Sequence, residues 1–157
     1  MIISATLRRQ VIERAGNRCE YCGLAQAGQE AAFHIDHVVP AIVGGNTSLE
    51  NLALACVSCS LRKGARQLVQ DPQTREEVAL FHPRLDSWLA HFRWDGVRVV
   101  GVTPTGRATV VALNMNRPLA LTIREEEAHR GRHPPQAHVI KVFLMHELEN
   151  VDFLSIL

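Results

Sequence analysis

Four cysteines fall in two pairs of identical spacing, Cys19-x2-Cys22 and Cys56-x2-Cys59, with none left over. A Cys-x2-Cys turn brings two sulfurs to one point. Two such turns a few tens of residues apart match the spacing of a tetrahedral zinc site. Four thiolates close the coordination shell, so the metal they would hold is structural and not catalytic. Two readings compete with zinc. Disulfides need an oxidising compartment, and the opening MIISATLRRQ lacks the basic stretch, apolar core and small-residue cleavage site of a secretory leader. Redox chemistry of the thioredoxin type needs one such turn at a helix start after a buried strand, not two matched turns. Zinc is the expectation, and it would contribute on the order of 10 kcal/mol or more to folding.

A second constellation lies between and after the two turns. It reads Ile35-Asp36-His37-Val38-Val39-Pro40, then Gly44-Gly45-Asn46, then Leu49-Glu50-Asn51-Leu52, with Ser60 and Lys63 following Cys59. Taken with the cysteines, this ordered string resembles the HNH endonuclease family in its zinc-bearing form, from about Arg14 to Arg66. The resemblance implies an α+β fold with a ββα-metal (His-Me finger) core, two strands followed by a helix, stapled by a four-cysteine zinc and carrying a C-terminal α/β extension. It implies DNA as the substrate, with products bearing 5′-phosphate and 3′-hydroxyl ends.

Hydrolysing a phosphodiester near neutral pH requires a base to activate water and a cation to stabilise charge developing on phosphate. His37 matches the family's general base, since a neutral imidazole can take the proton. Asp36 matches the carboxylate that holds a divalent ion, Mg²⁺ or Mn²⁺, both of which favour oxygen ligands. Asn51 matches the amide that pins the loop and orients the base. In a straight strand Asp36 and His37 would point to opposite faces, so the strand must end or twist there.

One position departs from the family. The residue after the last cysteine is usually Asn or His, the second ligand to the catalytic ion; here it is Ser60. A hydroxyl is a shorter and weaker ligand. Ser60 is expected to hold the ion with Asp36, directly or through water, or else His34, two residues before Asp36 and on the same strand face, substitutes for it. The alternative function is therefore a weak or inactive zinc-folded DNA-binding module. Arg62, Lys63 and Arg66 are expected to hold DNA phosphates from one helix face. Arg8, Arg9, Arg14 and Arg18 read as ordinary surface charges.

The elements that must position these groups follow from pattern. Leu7 to Ala15 has helical apolar spacing and stops at Gly16. Residues 32–40 read as a strand ending near Pro40, and 49–55 as a short buried strand or turn. A helix is expected over 58–68 and another over 83–92, the latter burying Leu85, Trp88, Leu89 and Phe92 with Trp94 nearby. A strand is expected over 97–102. Residues 108–113 fit either a strand or a helix capped at Thr105. Residues 118–130 read as a helix capped by Asn116. The apolar stretch 137–157 is expected to pack on the rest. Residues 1–70 form the expected nuclease module and 71–157 the extension.

The chain has 157 residues, 46% of them hydrophobic and 21% charged, an ordinary balance for one compact domain. No apolar run is long enough for a membrane span, and a cytoplasmic address is expected. The net charge of +1 gives no broad basic surface, so any grip on phosphate must be local. One such site cuts one strand; a homodimer would be needed to break both together.

Overall fold

A computed structural model describes residues 2–135. Among these residues three antiparallel strand pairs and five α-helices share one hydrophobic cluster that runs from Val11 to Ala120. The expectation for residues 137–157 lies outside the described residues.

Helix α1 (Ala5–Arg14) starts where Ser4 Oγ accepts the Leu7 amide at 3.2 Å, an N-cap satisfying one orphan donor. It buries Val11 against strand β2 (Leu52–Ala55). Arg14 at its end donates to Leu49 O at 2.7 Å and to Leu52 O, tying the helix to the segment entering β2. The first cysteine turn follows. Cys19 N donates to Leu24 O and Gly23 N to Cys19 O, at 2.8 and 2.9 Å.

Strand β1 (His34–His37) pairs antiparallel with β2, His34 opposite Ala55 and His37 opposite Leu52. All four β2 residues are buried, because helices α1 and α2 (Val57–Lys63) both pack on it. The strand pair and the helix that follows give the order expected for residues 34–63. Helix α2 is shorter than the sequence pattern suggested. It stops at Gly64, whose φ of 51° and ψ of −128° are not helical, and Leu68–Gln70 becomes strand β3. Strand β3 pairs with β4 (Glu77–Ala79).

Beyond β4 the pattern reading needs three corrections. Residues 83–92 form only one helical turn, α3 (Trp88–His91), before Phe92 opens strand β5 (Phe92–Asp95). Phe92 is buried, but Leu85 and Leu89 are exposed, so helical spacing there did not mark a core face. After β6 (Arg98–Gly101), residues 108–113 lie at the end of helix α4 (Pro104–Ala112), capped by Thr103 and not Thr105. Helix α5 (Pro118–His129) follows without a side-chain cap. Asn116 instead brackets Val99, accepting from its amide and donating to its carbonyl, both at 2.8 Å.

These later elements reach back to the first cysteine turn. Trp88 Nε1 donates to Tyr21 O at 2.8 Å, and Arg124 donates to Cys22 O at 3.0 Å. Trp94 lies so close to Gly23 that a Cβ there would meet its ring at 2.9 Å. Glycine is needed at that point both for space and for its φ of +72°.

Candidate metal centres and catalytic site

The four cysteine sulfurs lie within 4.8 Å of one another and all four residues are buried. Zinc–sulfur bonds of about 2.3 Å in a tetrahedron place neighbouring sulfurs about 3.8 Å apart. Cys22 Sγ and Cys56 Sγ are separated by 3.8 Å. The cluster therefore fits a structural zinc, both in donor chemistry and in spacing. Cys56 also caps α2, its sulfur accepting the Cys59 amide at 3.4 Å. Hydrogen bonds from the other three thiols hold the Cys56 thiol far below the usual range.

Two arginines that the sequence reading passed over stand beside this centre. Zinc with four thiolates carries a net charge of −2, which a buried site must offset. Arg117 donates to Cys56 Sγ at 3.7 Å. Arg124 is 1% exposed and has no carboxylate partner among the described residues; it donates to Cys22 O, Met115 O and Val97 O and lies over the Trp94 ring. Through Cys22 O this buried guanidinium is tied to the first cysteine turn. Neither residue carries a motif signal, because both come from elsewhere in the chain.

Along helix α2 lie the contacts of the second constellation. His34 and Asp36 share one face of β1, the face toward α2. His34 Nδ1 lies 3.0 Å from Ser60 Oγ, and Asp36 Oδ2 lies 3.0 Å from Lys63 Nζ. Ser60 and Lys63 are three residues apart on α2, so the two contacts are successive rungs between strand and helix. Tyr21, fully buried, donates to the same Asp36 Oδ2 at 3.2 Å. Burial pushes the Asp36 carboxyl above its usual range, with Lys63 and then Tyr21 opposing the shift.

The role expected for Lys63 is corrected by this geometry. It is 2% exposed, and its ammonium donates to His37 O at 2.9 Å as well as to Asp36. It locks β1 to α2 and cannot reach a phosphate from there. Arg62 and Arg66 are exposed, but Arg66 lies past the end of α2, not on its face. Its guanidinium folds back on Arg62 O and Ala112 O. Replacing Lys63 by Met would strand the Asp36 charge against a mostly dry wall. The expected loss is about 2–3 kcal/mol, below the full cost for a buried pair because Asp36 keeps some exposure. Urea unfolding of the zinc-loaded protein measures it, and Asp36→Asn added to Lys63→Met should recover part of it. A loss under about 0.5 kcal/mol would mean the pair contributes no more than a surface contact.

His37 ends the strand and points elsewhere. Its Nε2 lies 2.9 Å from Thr47 Oγ1, in the loop between β1 and β2. Asn51 holds that loop shut: its Oδ1 accepts from Val39 N, and its Nδ2 donates to Val39 O and Asn46 O, at 2.9, 3.0 and 2.8 Å. Gly45 is pressed on the same carbonyl, where a Cβ would fall 1.8 Å from Val39 O. Asn51 thus bonds the loop backbone at three points. Among the described residues the four cysteines are the only group of three or more His, Cys, Asp or Glu placed to hold a metal ion. The side chains of His34, Asp36 and His37 accordingly do not converge to that degree.

No helix among the described residues is long and apolar enough to cross a membrane. No curated protein and no solved structure matches the chain. Residues 19–66, from the first cysteine turn to the arginine after α2, match the family model of the HNH endonuclease.

Proposed function

We propose that the chain is a metal-dependent endonuclease of the HNH type that hydrolyses phosphodiester bonds in DNA. The observation that carries this reading is the loop clamp around His37. Asn51 and Gly45 fix the backbone after the strand, and Thr47 holds the ring by one nitrogen. Such a clamp serves no evident packing purpose for a half-buried imidazole, but it presets a base. In the tautomer whose Nε2–H donates to Thr47, the ring carries its lone pair on Nδ1, where it can accept a proton from water. Attack of that water on phosphorus, in line with the 3′ oxygen, breaks the P–O3′ bond; the departing oxygen takes a proton from solvent, leaving 5′-phosphate and 3′-hydroxyl ends.

A divalent ion bound at Asp36 would supply the positive charge that phosphate and leaving oxygen need. Asp36 is suited to hold it, since Tyr21 and Lys63 both engage Oδ2 and fix the carboxylate in place. Arg62 is the exposed cation nearest in sequence to this face and is assigned to phosphate binding together with Arg66. The cysteine zinc, fully enclosed, takes no part beyond holding α2 at its N-terminal end.

Zinc-loaded protein added to supercoiled plasmid with Mg²⁺ or Mn²⁺ should produce open circles before linear DNA, because one site cuts one strand. DNA ligase alone should reseal those nicks, which requires 5′-phosphate and 3′-hydroxyl ends. A folded protein that binds DNA yet cuts none with either ion would replace the enzyme reading by that of a zinc-built binding module. The Ser60 substitution is the observation that favours this second reading.

A further inference from the structure

We propose that His34, and not Ser60, supplies the second protein ligand to the divalent ion at Asp36, and that Ser60 is a positioning residue that aims the His34 ring. This rests on the metal-dependent reading of the site given above. Ser60 stands directly after Cys59 on α2, yet its hydroxyl is already engaged at 3.0 Å with His34 Nδ1. A hydrogen-bond partner on one imidazole nitrogen holds the ring and leaves the other nitrogen free to meet a metal. Here that other nitrogen is Nε2. His34 is exposed, so an ion with its remaining waters can reach it without rearranging the core.

Asp36 sits two residues on, facing the same helix one turn further along. Both contacts to its carboxylate fall on Oδ2, so Oδ1 is the oxygen that neither Tyr21 nor Lys63 engages. A carboxylate oxygen and an imidazole nitrogen from the same strand face thus form the donor pair, completed by water and phosphate oxygens. Replacing an amide oxygen by an imidazole nitrogen changes which ions bind best. Magnesium favours all-oxygen shells, whereas cobalt and nickel accept nitrogen readily and manganese tolerates it beside oxygen. The site is therefore matched to a borderline divalent ion more than to Mg²⁺.

The test uses zinc-loaded protein titrated with Mn²⁺, free ion being followed by its electron paramagnetic resonance signal. Pulsed measurements on the bound ion report coupling to any directly ligated nitrogen. Wild type and His37→Ala should show imidazole nitrogen coupling, and His34→Gln should lose it. Affinity for Mn²⁺ should fall by about ten- to a hundredfold in His34→Gln, and by about tenfold in Ser60→Ala, where the ligand remains but its support is gone. Zinc content and unfolding midpoint confirm that each exposed-site variant is folded. If His34→Gln keeps both coupling and affinity while Asp36→Asn loses affinity, the ion is at Asp36 without His34, and this inference alone is overturned. If Asp36→Asn binds Mn²⁺ like wild type, no ion sits there, and the nuclease reading falls with it.

Discussion

Removing the metal from the four cysteines is expected to unfold the whole described chain and not only its first third. The cysteines lie inside the single hydrophobic cluster, each at most 2% exposed. Elements from both ends of the sequence hang on the two turns. Trp88 is bonded to Tyr21 O, Arg124 to Cys22 O and Arg117 to Cys56 Sγ, while Trp94 is stacked on Trp88 and seated over Gly23. Structural zinc contributes on the order of 10 kcal/mol, comparable to the whole net stability of a domain this size. Without it, Arg117 would lose the metal–thiolate centre that its guanidinium faces at Cys56, a further cost. Elemental analysis should find one zinc per chain. Stripping it with a strong chelator at 25 °C should abolish the near-ultraviolet circular dichroism of the Trp88–Trp94 pair and the cooperative thermal transition. Cys59→Ser should do the same without chelator. Acid should act in that direction too, since protons compete with zinc for the thiolates. A metal-free protein that keeps its transition and its tryptophan signal would show that the cysteines pack as ordinary apolar residues.

The cysteines and the string from Asp36 to Asn51 were legible in the sequence because their meaning lies in local spacing. Two residues between sulfurs, or a Gly-Gly before an Asn, constrain backbone geometry wherever they occur. Lys63 was not legible in this way. In the run Leu61-Arg62-Lys63 it reads as one more exposed cation on a helix end. Only the packing of α2 on β1 turns it inward to Asp36, and that rotation depends on where the helix starts, which Cys56 sets by capping it. Arg117 and Arg124 were invisible for a related reason. Their partners are a sulfur and carbonyls far away in sequence, and no short motif records a contact of that kind.

The misread segment 83–92 shows a different limit. Leu85, Trp88, Leu89 and Phe92 have helical spacing, but Pro83 and the Asp86 carboxylate, which accepts the His82 amide at 2.9 Å, organise the first half as a turn. Phe92 then pairs in a strand with Gly101, and Gly101 and Gly106 pass backbone to backbone where a Cβ on either would overlap main-chain atoms. Tertiary pairing overrode a periodic pattern of only four residues, which is too short to decide between a helix and a strand end. The same brevity explains Asn116. Its side chain suits a helix cap, yet bracketing Val99 satisfies two otherwise unpaired groups at the edge of β6, and that use prevailed.

Truncating the proposed base separates catalysis from binding most sharply. His37→Ala should lower the rate of plasmid nicking by about two to four orders of magnitude, the usual contribution of a positioned base. DNA affinity should change little, because the phosphate contacts are assigned to Arg62 and Arg66. Stability should also hold within about 1 kcal/mol, since His37 is half-buried and its one side-chain bond among the described residues is to a threonine hydroxyl. Thr47→Val tests the clamp separately. It removes the oxygen that holds Nε2 and so lets the ring turn and change tautomer, with an expected loss of about tenfold in rate and none in Mn²⁺ affinity. If His37→Ala nicks within about threefold of wild type, the activity does not depend on this imidazole, and the clamp around it must be explained by folding alone. A deep loss in His37→Ala with a shallow one in Thr47→Val is the pattern that only a base and its support produce. A ring that merely fills space would give both losses, or neither, through stability instead.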